Sequence, residues 1–267
     1  MNMRRLILTC AVLALIGGNA SAGMVERKIG YEIDGKAFQG VLVYDDGVTT
    51  KRPAILMEPD WSGVSSHSVE LAREIAGRDY VVFVADLFGV GYAPKDAKER
   101  AAATTAVHAD VNLMRARGGK GFDVLLTEGE RLGIVDPAKI VGIGFCFGGG
   151  VLLEVAREGR DFKALTVFHV TNPQPADPAG PSKIKGPVLV LHGADDPITP
   201  RKAISALEDE LDAAKVRWQA VLFSGAVHAF TDTSAPVTGA SPAVTRYDPV
   251  VAKRSHEMMR EFFASIL

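Results

Sequence analysis

The sequence predicts a three-layer α/β sandwich on a mostly parallel sheet of about eight strands, with an antiparallel hairpin at its N-terminal side. Short, continuously apolar runs recur along the chain, as expected of strands buried on both faces of a parallel sheet. Segments with helical periodicity separate these runs. With 267 residues and 47% apolar composition, the chain can bury one full core, so we expect a single domain.

The first 22 residues differ in composition from the rest of the chain. Arg4-Arg5 precedes an apolar run from Leu6 to Ile16, and Ala20-Ser21-Ala22 has the small residues of a cleavage site. This run is too short to span a bilayer, which requires about 20 residues. We predict a signal peptide over 1–22, removed to leave residues 23–267 as one domain. The mature protein is then periplasmic or secreted, without a stable membrane anchor.

Charge and cysteine content narrow the possible partners. The formal net charge is −2, and loss of the leader's arginines makes it more negative, so we expect no nucleic acid and no anionic membrane as partner. Of two cysteines, Cys10 lies in the leader and Cys146 remains alone in the mature chain. An unpaired exported thiol calls for a functional explanation. A monomer and a homodimer both remain open.

The strands and helices are assigned from local patterns. Asp34-Gly35 joins the two strands of the hairpin, and Asp248-Pro249 begins the last helix. Another helix opens at Thr199-Pro200, with Ile204, Leu207 and Leu211 on one face. Two long loops, 171–185 and 231–246, are expected to shape a binding site. The predicted strands are 25–33, 37–44, 54–57, 80–85, 140–143, 164–168, 188–191 and 217–223.

Cys146 occupies the turn between a predicted strand, 139–143, and a predicted helix, 147–157. The turn reads Gly144-Phe145-Cys146-Phe147-Gly148, the pattern of a nucleophile elbow with sulfur in place of a hydroxyl. Its small residues permit a strained bend that lifts the central side chain to a helix N-terminus. There the helix dipole favours the thiolate, and the Phe147 amide points toward a developing oxyanion. The alternative is an inert buried thiol among glycines that serve packing.

A base and an acid follow the nucleophile in chain order, as in α/β-hydrolase topology. Asp196 follows the run 188–191, and its spacing from Gly193 and Pro200 favours it over the adjacent Asp195. His228 follows the last predicted strand. We expect His228 to exchange protons with Cys146 while Asp196 fixes its tautomer.

The remaining histidines have weaker claims to function. His169 ends a strand and is expected to line a pocket, and His192 is expected to pack under the acid turn. Three others fall on helical surfaces or helix starts, namely His67, His108 and His256. No HExxH motif or paired-cysteine spacing occurs, so neither a metal nor an organic cofactor is predicted.

Three motifs, 144–149, 193–200 and 225–230, occur in the order found in the dienelactone hydrolase family, which this chain resembles. Segments 53–64 and 85–89 resemble that family too, so the resemblance covers roughly Val25 to Leu267. It implies a hydrolase with Trp61 and Phe147 as oxyanion-hole amides. It also implies that Asp60 pairs with the resting thiol, with Glu58, two residues earlier, as the alternative acid.

The chain departs from the family at two arginines that hold the carboxylate of dienelactone. The first position carries Gly89-Val90-Gly91 and the second Thr231-Asp232. Loss of two charge-assisted contacts weakens binding of an anionic lactone by orders of magnitude. We therefore expect another small-molecule ester or lactone as substrate. Whether Arg246 or Lys95 replaces the missing arginines stays open.

The sequence favours a hydrolase that forms a thioester on its cysteine. The competing hypothesis is a non-catalytic ligand-binding or thiol protein that keeps the fold. A degenerate protein usually loses part of its triad, whereas Cys146, Asp196 and His228 are all present.

Overall fold

The structure of the protein is a computed structural model that describes residues 23–175, 182–235 and 244–267. The predicted signal peptide over 1–22 lies outside the described residues, as do parts of both long loops. Among the helices within these ranges, none combines the length and apolar character needed to cross a bilayer.

Eight strands of the described chain form one sheet in the order β1-β2-β4-β3-β5-β6-β7-β8. β1 pairs with β2 and β2 with β4 in antiparallel fashion, and every later pairing is parallel. The predicted hairpin and the mostly parallel sheet are therefore confirmed. The strands are β1 (Met24–Ile33), β2 (Lys36–Asp45), β3 (Arg52–Glu58), β4 (Val81–Val84), β5 (Val135–Phe145), β6 (Leu165–Phe168), β7 (Val188–Gly193) and β8 (Trp218–Phe223).

Six helices accompany these strands in the described part of the chain, and in four of them a side chain caps the first turn. Asp248 caps the last helix through the amides of Val250 and Val251, as its Asp-Pro signal predicts. The helix expected at Thr199-Pro200 begins at Arg201 with Pro200 as its N-cap, so no side chain caps it. The helices are α1 (Ser66–Ala76), α2 (Ala97–His108), α3 (Val111–Leu132), α4 (Phe147–Arg157), α5 (Arg201–Ala213) and α6 (Pro249–Ala264).

Each face of the sheet carries its own hydrophobic core. Successive strand residues point to opposite faces, so Phe83 joins Leu152 in the core under α3, α4 and α5. Its neighbour Val84 joins Phe263 in the core under α1 and α6. Each of these side chains is fully buried, which stabilises the fold by about 1.5 to 3 kcal/mol per residue. The predicted three layers are thus helices, sheet and helices.

The parallel strands place the functional candidates together. The carboxyl ends of β3, β5, β6, β7 and β8 lie at one edge of the sheet, where open α/β folds bind ligands. The candidate residues that follow the carboxyl ends of these strands are Trp61, Cys146, His169, Asp196 and His228.

Candidate active site

The turn that carries Cys146 is strained and depends on two glycines. Cys146 has φ 52° and ψ −120°, a backbone conformation that residues other than glycine rarely adopt. A Cβ on Gly144 would lie 2.6 Å from the Cα of Gly149, and one on Gly148 would overlap the backbone of β3. Only glycine therefore allows the bend that holds the sulfur at the N-terminus of α4.

Three side chains form a continuous hydrogen-bonded chain at this edge of the sheet. His228 Nε2 lies 3.0 Å from Cys146 Sγ, and its Nδ1 lies 2.7 Å from Asp196 Oδ2. The other oxygen of Asp196 accepts hydrogen bonds from the amides of Ile198 and Thr199, which fix the carboxylate. Asp195 faces away and accepts from the Gly225 amide, so the structure sets Asp196 rather than Asp195 against the imidazole.

Electrostatic interactions and burial together determine the protonation states of His228 and Asp196. Burial alone would lower the pKa of His228, but attraction to Cys146 and the bond with Asp196 raise it to about 10. Burial works in the opposite sense on Asp196, yet His228 holds the pKa of this carboxyl below its ordinary value. These interactions favour the protonated His228 ring, which donates one N–H to the sulfur and one to Asp196.

The two predicted oxyanion donors belong to residues of the same pocket as the sulfur. Trp61 and Phe147 line the same pocket as Cys146, and Phe147 is the first residue of α4, where backbone amides have no partner within the helix. The Trp61 carbonyl accepts a hydrogen bond of 2.7 Å from the Tyr92 hydroxyl, which steadies this loop. Both residues thus lie at the pocket into which the sulfur opens, and the role of their amides as oxyanion donors stays a prediction.

The expectations for the two acids near β3 need correction. Asp60 lines the pocket, but its carboxylate accepts from the Ser62 amide, and the sulfur of Cys146 is bonded to His228 instead. Glu58 is absent from the pocket lining, is fully buried and has no hydrogen-bond partner among the described residues, so it does not pair with the thiol either. Side chains two residues apart on a strand share a face, but the strand ends at Glu58, and the turn redirects Asp60.

His169 and His192 are buried beside the triad and held neutral. Burial, reinforced by the charge of His228, moves the pKa of His169 well below its ordinary value. Its Nε2 lies 2.7 Å from Thr231 Oγ1, and its ring meets the His228 ring edge to face at 5.1 Å. Burial also lowers the pKa of His192, whose Nε2 bonds the Thr199 carbonyl at 2.8 Å, under the acid turn as predicted.

The sulfur opens into a cavity of about 470 Å³, which we call the Cys146 pocket. One wall is a face of α2 that sequence reasoning missed, formed by Arg100, Thr104 and His108 at helical spacing. The Arg100 guanidinium lies 6.0 Å from the centre of the Trp61 ring, and its Nε has no hydrogen-bond partner among the described residues. The sequence signal that could have indicated this wall is the i, i+4, i+8 spacing of the three polar residues after Asp96, which caps α2.

Backbone strain concentrates around this pocket. Among the described non-glycine residues, six have positive φ, and four of these line the pocket, where strain is typical of functional sites. These four are Cys146, His169, Asn172 and Ala229.

The two candidates for a replacement carboxylate clamp lie elsewhere. Arg246 donates to the Gly225 carbonyl, Lys95 is exposed, and neither lines the pocket. Asp232 does line it, at a position where the family's arginine is expected. Within the described ranges, no group of three or more His, Cys, Asp or Glu residues is arranged to hold a metal ion.

Comparisons with known proteins agree with the overall fold and identify relatives of this chain. The solved structure of the protein m3DLH is 33% identical, covers 92% of this chain and 99% of its own, and superposes with a TM-score of 0.84. A dienelactone hydrolase-like promiscuous phosphotriesterase from metagenomic libraries is 32% identical, with coverage of 91% and 99% and a TM-score of 0.83.

A curated relative from Salmonella typhimurium, named provisionally as a carboxymethylenebutenolidase, is 23% identical over 79% of this chain and 77% of its own. Another with this provisional name, from Saccharolobus solfataricus, is 38% identical, but the match spans about a third of its length. The profile of the dienelactone hydrolase family matches residues 38–267. The chain therefore belongs to the dienelactone hydrolase family, whose members are hydrolases acting on ester bonds.

Proposed function

We propose that the protein is an exported hydrolase that cleaves carboxylic esters or lactones through a thioester on Cys146. The observation that carries this proposal is the chain of contacts from Sγ to His228 Nε2, at 3.0 Å, and from Nδ1 to Asp196, at 2.7 Å. It opens into a cavity of about 470 Å³, a volume suited to a small-molecule ester.

Acylation follows from the charge distribution. The Cys146 sulfur attacks the ester carbonyl carbon, and the developing oxyanion is stabilised by the amides of Trp61 and Phe147. His228, which starts protonated, donates its Nε2 proton to the leaving alkoxide as the carbon–oxygen bond breaks. Asp196 holds the ring in orientation and offsets its charge.

Water then completes the reaction. Neutral His228 takes a proton from water as the water oxygen attacks the thioester carbonyl carbon. The tetrahedral intermediate breaks its carbon–sulfur bond, which releases the carboxylic acid and restores the pair of thiolate and imidazolium.

The charges around the pocket support a substrate other than dienelactone. Asp60 and Asp232 both line the pocket, and Arg100 supplies one guanidinium on the α2 wall. A substrate carboxylate would meet repulsion where the family's arginine is expected, so we propose that neutral esters or lactones are preferred.

A second candidate activity is hydrolysis of phosphotriesters. It is favoured by the 32% identity to a promiscuous phosphotriesterase over almost the whole length of both chains. Attack of Cys146 on phosphorus would use the same sulfur and the same backbone amides. Release of p-nitrophenol from paraoxon, absent in Cys146→Ala, would establish it.

The export proposal concerns residues 1–22 and rests on their composition. Expression of the full chain in a bacterial host, followed by cell fractionation and N-terminal sequencing, tests it. Recovery of a periplasmic protein beginning at Gly23 is expected. An uncleaved cytoplasmic chain would refute it.

The catalytic proposal is tested with a panel of p-nitrophenyl esters and an anionic lactone. The mature protein is assayed beside Cys146→Ala, with His256→Phe as a matched variant outside the triad. We expect turnover of neutral esters by the native protein and His256→Phe, none by Cys146→Ala, and a low rate on the anionic lactone. Equal activity of Cys146→Ala would refute the mechanism, and a strong preference for the anion would refute the assigned substrate class.

A further inference from the structure

A second cavity, the rear cavity, lies beside the Cys146 pocket. Its volume is about 10 Å³, which is room for about one water molecule. A buried water requires two to four polar partners, and the lining supplies more than that number. The polar residues around the rear cavity are Asp60, His67, Ser68, His169, Thr231 and Asp232.

His169 is the residue whose hydrogen bonding is incomplete. It is 1% exposed, its Nε2 is bonded to Thr231 Oγ1, and its Nδ1 is buried without a hydrogen-bond partner among the described residues. If Thr231 donates to Nε2, then Nδ1 carries the proton and donates. If Nε2 donates to Thr231, then Nδ1 accepts. In both tautomers this nitrogen can bind a water molecule.

The rear cavity shares lining residues both with the Cys146 pocket and with a larger cleft. Asp60, His169 and Asp232 line both the rear cavity and the Cys146 pocket. His67 and Thr231 line both the rear cavity and an outer cleft of about 840 Å³ along α1 and α6. Polar side chains thus line all three spaces in succession, and none of those around the rear cavity belongs to the α2 wall.

We propose that the rear cavity holds the water that hydrolyses the thioester, and that His169 is the residue that positions it. The proposal rests on the thioester mechanism above and adds the place from which water, the second substrate, attacks. The water oxygen attacks the thioester carbonyl carbon, its proton passes to His228 Nε2, and the carbon–sulfur bond breaks to free the acid. His169 exchanges no proton and acts through the orientation of the water.

The position of His169 suits this role. Its ring centre is 5.1 Å from that of His228, so His169 lies close to the base that must deprotonate the water. Burial keeps the pKa of His169 well below its usual range, so no second positive charge competes with the imidazolium of His228. Its strained φ of 36° is consistent with a function other than packing.

The test separates acylation from deacylation. His169→Phe keeps an aromatic ring against His228 and Phe230 but removes both ring nitrogens. His256→Phe is the matched control, because His256 also packs edge to face on aromatic rings yet lines the outer cleft and not the rear cavity. Each variant is mixed rapidly with a p-nitrophenyl ester, with and without methanol as a competing acyl acceptor.

The burst phase reports acylation, and the steady state reports deacylation. We expect His169→Phe to keep its burst rate within about threefold while hydrolysis of the thioester slows roughly tenfold, the rate equivalent of one hydrogen bond. The ratio of methyl ester to free acid should rise, because methanol is larger than the single water that the rear cavity can hold and does not depend on that position. His256→Phe should resemble the native protein. Thr231→Val, which removes the bond to Nε2, should shift the ratio in the same direction if His169→Phe does not fold.

Two outcomes overturn the proposal. One is an unchanged product ratio in His169→Phe and Thr231→Val, and the other is an equal fall of burst and steady-state rates, which indicates a packing role. If the native protein forms no acyl-enzyme at all, the proposed function itself fails, and this result is distinct from both.

Discussion

Replacement of Glu58 by glutamine tests the assignment of a neutral carboxyl group beneath the catalytic edge of the sheet. Glu58 is fully buried and has no hydrogen-bond partner within the described chain. Its Oε1 lies 3.0 Å from the place of a Cβ on Gly118 and 3.8 Å from that of one on Gly121, so the carboxyl occupies a slot left by two glycines of α3. Burial raises the pKa of this group from 4.5 to about 8.

The stability effect follows from proton linkage. Between pH 4.5 and about pH 8 the folded protein binds a proton that the unfolded chain has lost, so the unfolding free energy falls as pH rises. The slope is about 1.4 kcal/mol per pH unit. From pH 5 to pH 8 the native protein should lose roughly 3 kcal/mol through this residue alone.

The assay is urea unfolding at pH 5 and pH 8. The glutamine of Glu58→Gln cannot ionise, so the unfolding free energy of this variant, relative to that of the native protein, should be roughly 3 kcal/mol higher at pH 8 than at pH 5. In thermal unfolding, each kcal/mol of this difference corresponds to about 2–4 °C in Tm. Glu130→Gln, at an exposed position of α3, is the control and should follow the native pH dependence. Parallel pH profiles for the native protein and Glu58→Gln would refute the reasoning.

Four further predictions concern the active site. Cys146→Ser removes the charge that stabilises protonated His228, so its imidazole should titrate at lower pH in NMR spectra; an unchanged titration contradicts the assigned contact. Asp196→Asn disfavours the required tautomer and should lower kcat/KM for a neutral ester at least about 10³-fold, and a loss below tenfold would contradict its role. Arg100→Gln should reduce kcat/KM for a carboxylate-bearing ester about tenfold and alter a neutral ester less than about threefold; equal effects would show that Arg100 does not select charge. Gly148→Ala forces a methyl group into the backbone of β3, so thermal unfolding should show severe destabilisation, and a native Tm would disprove the requirement for glycine.

The fold was predictable because its signals are local. Each buried strand is a short apolar run, and Asp34-Gly35 specifies the hairpin turn. The triad geometry was accessible for a related reason. In a parallel sheet the carboxyl ends of the strands share one edge, so motifs that follow separate strands meet in space. The order of the three motifs along the chain was therefore sufficient to predict that Cys146, Asp196 and His228 lie together.

Other features depend on packing between segments that are distant in the chain, so local sequence patterns predict them poorly. The direction of the Glu58 side chain is set by glycines on α3, far away in the chain. The α2 wall has few buried residues, so its amphipathic pattern is faint, and its contact with the pocket depends on how it packs on α3. The partner of the resting sulfur was predicted as Asp60, but the turn after β3 binds that carboxylate to the Ser62 amide.

The central claim is that the Cys146 sulfur carries the acyl group during turnover. Rapid acid quench of the protein with a p-nitrophenyl ester, followed by intact mass measurement and peptide mapping, tests it most directly. The account predicts a mass increase equal to one acyl group on the peptide that contains Cys146, formed within the burst and lost when substrate is exhausted. Turnover without this adduct, or an adduct on another residue, would contradict it.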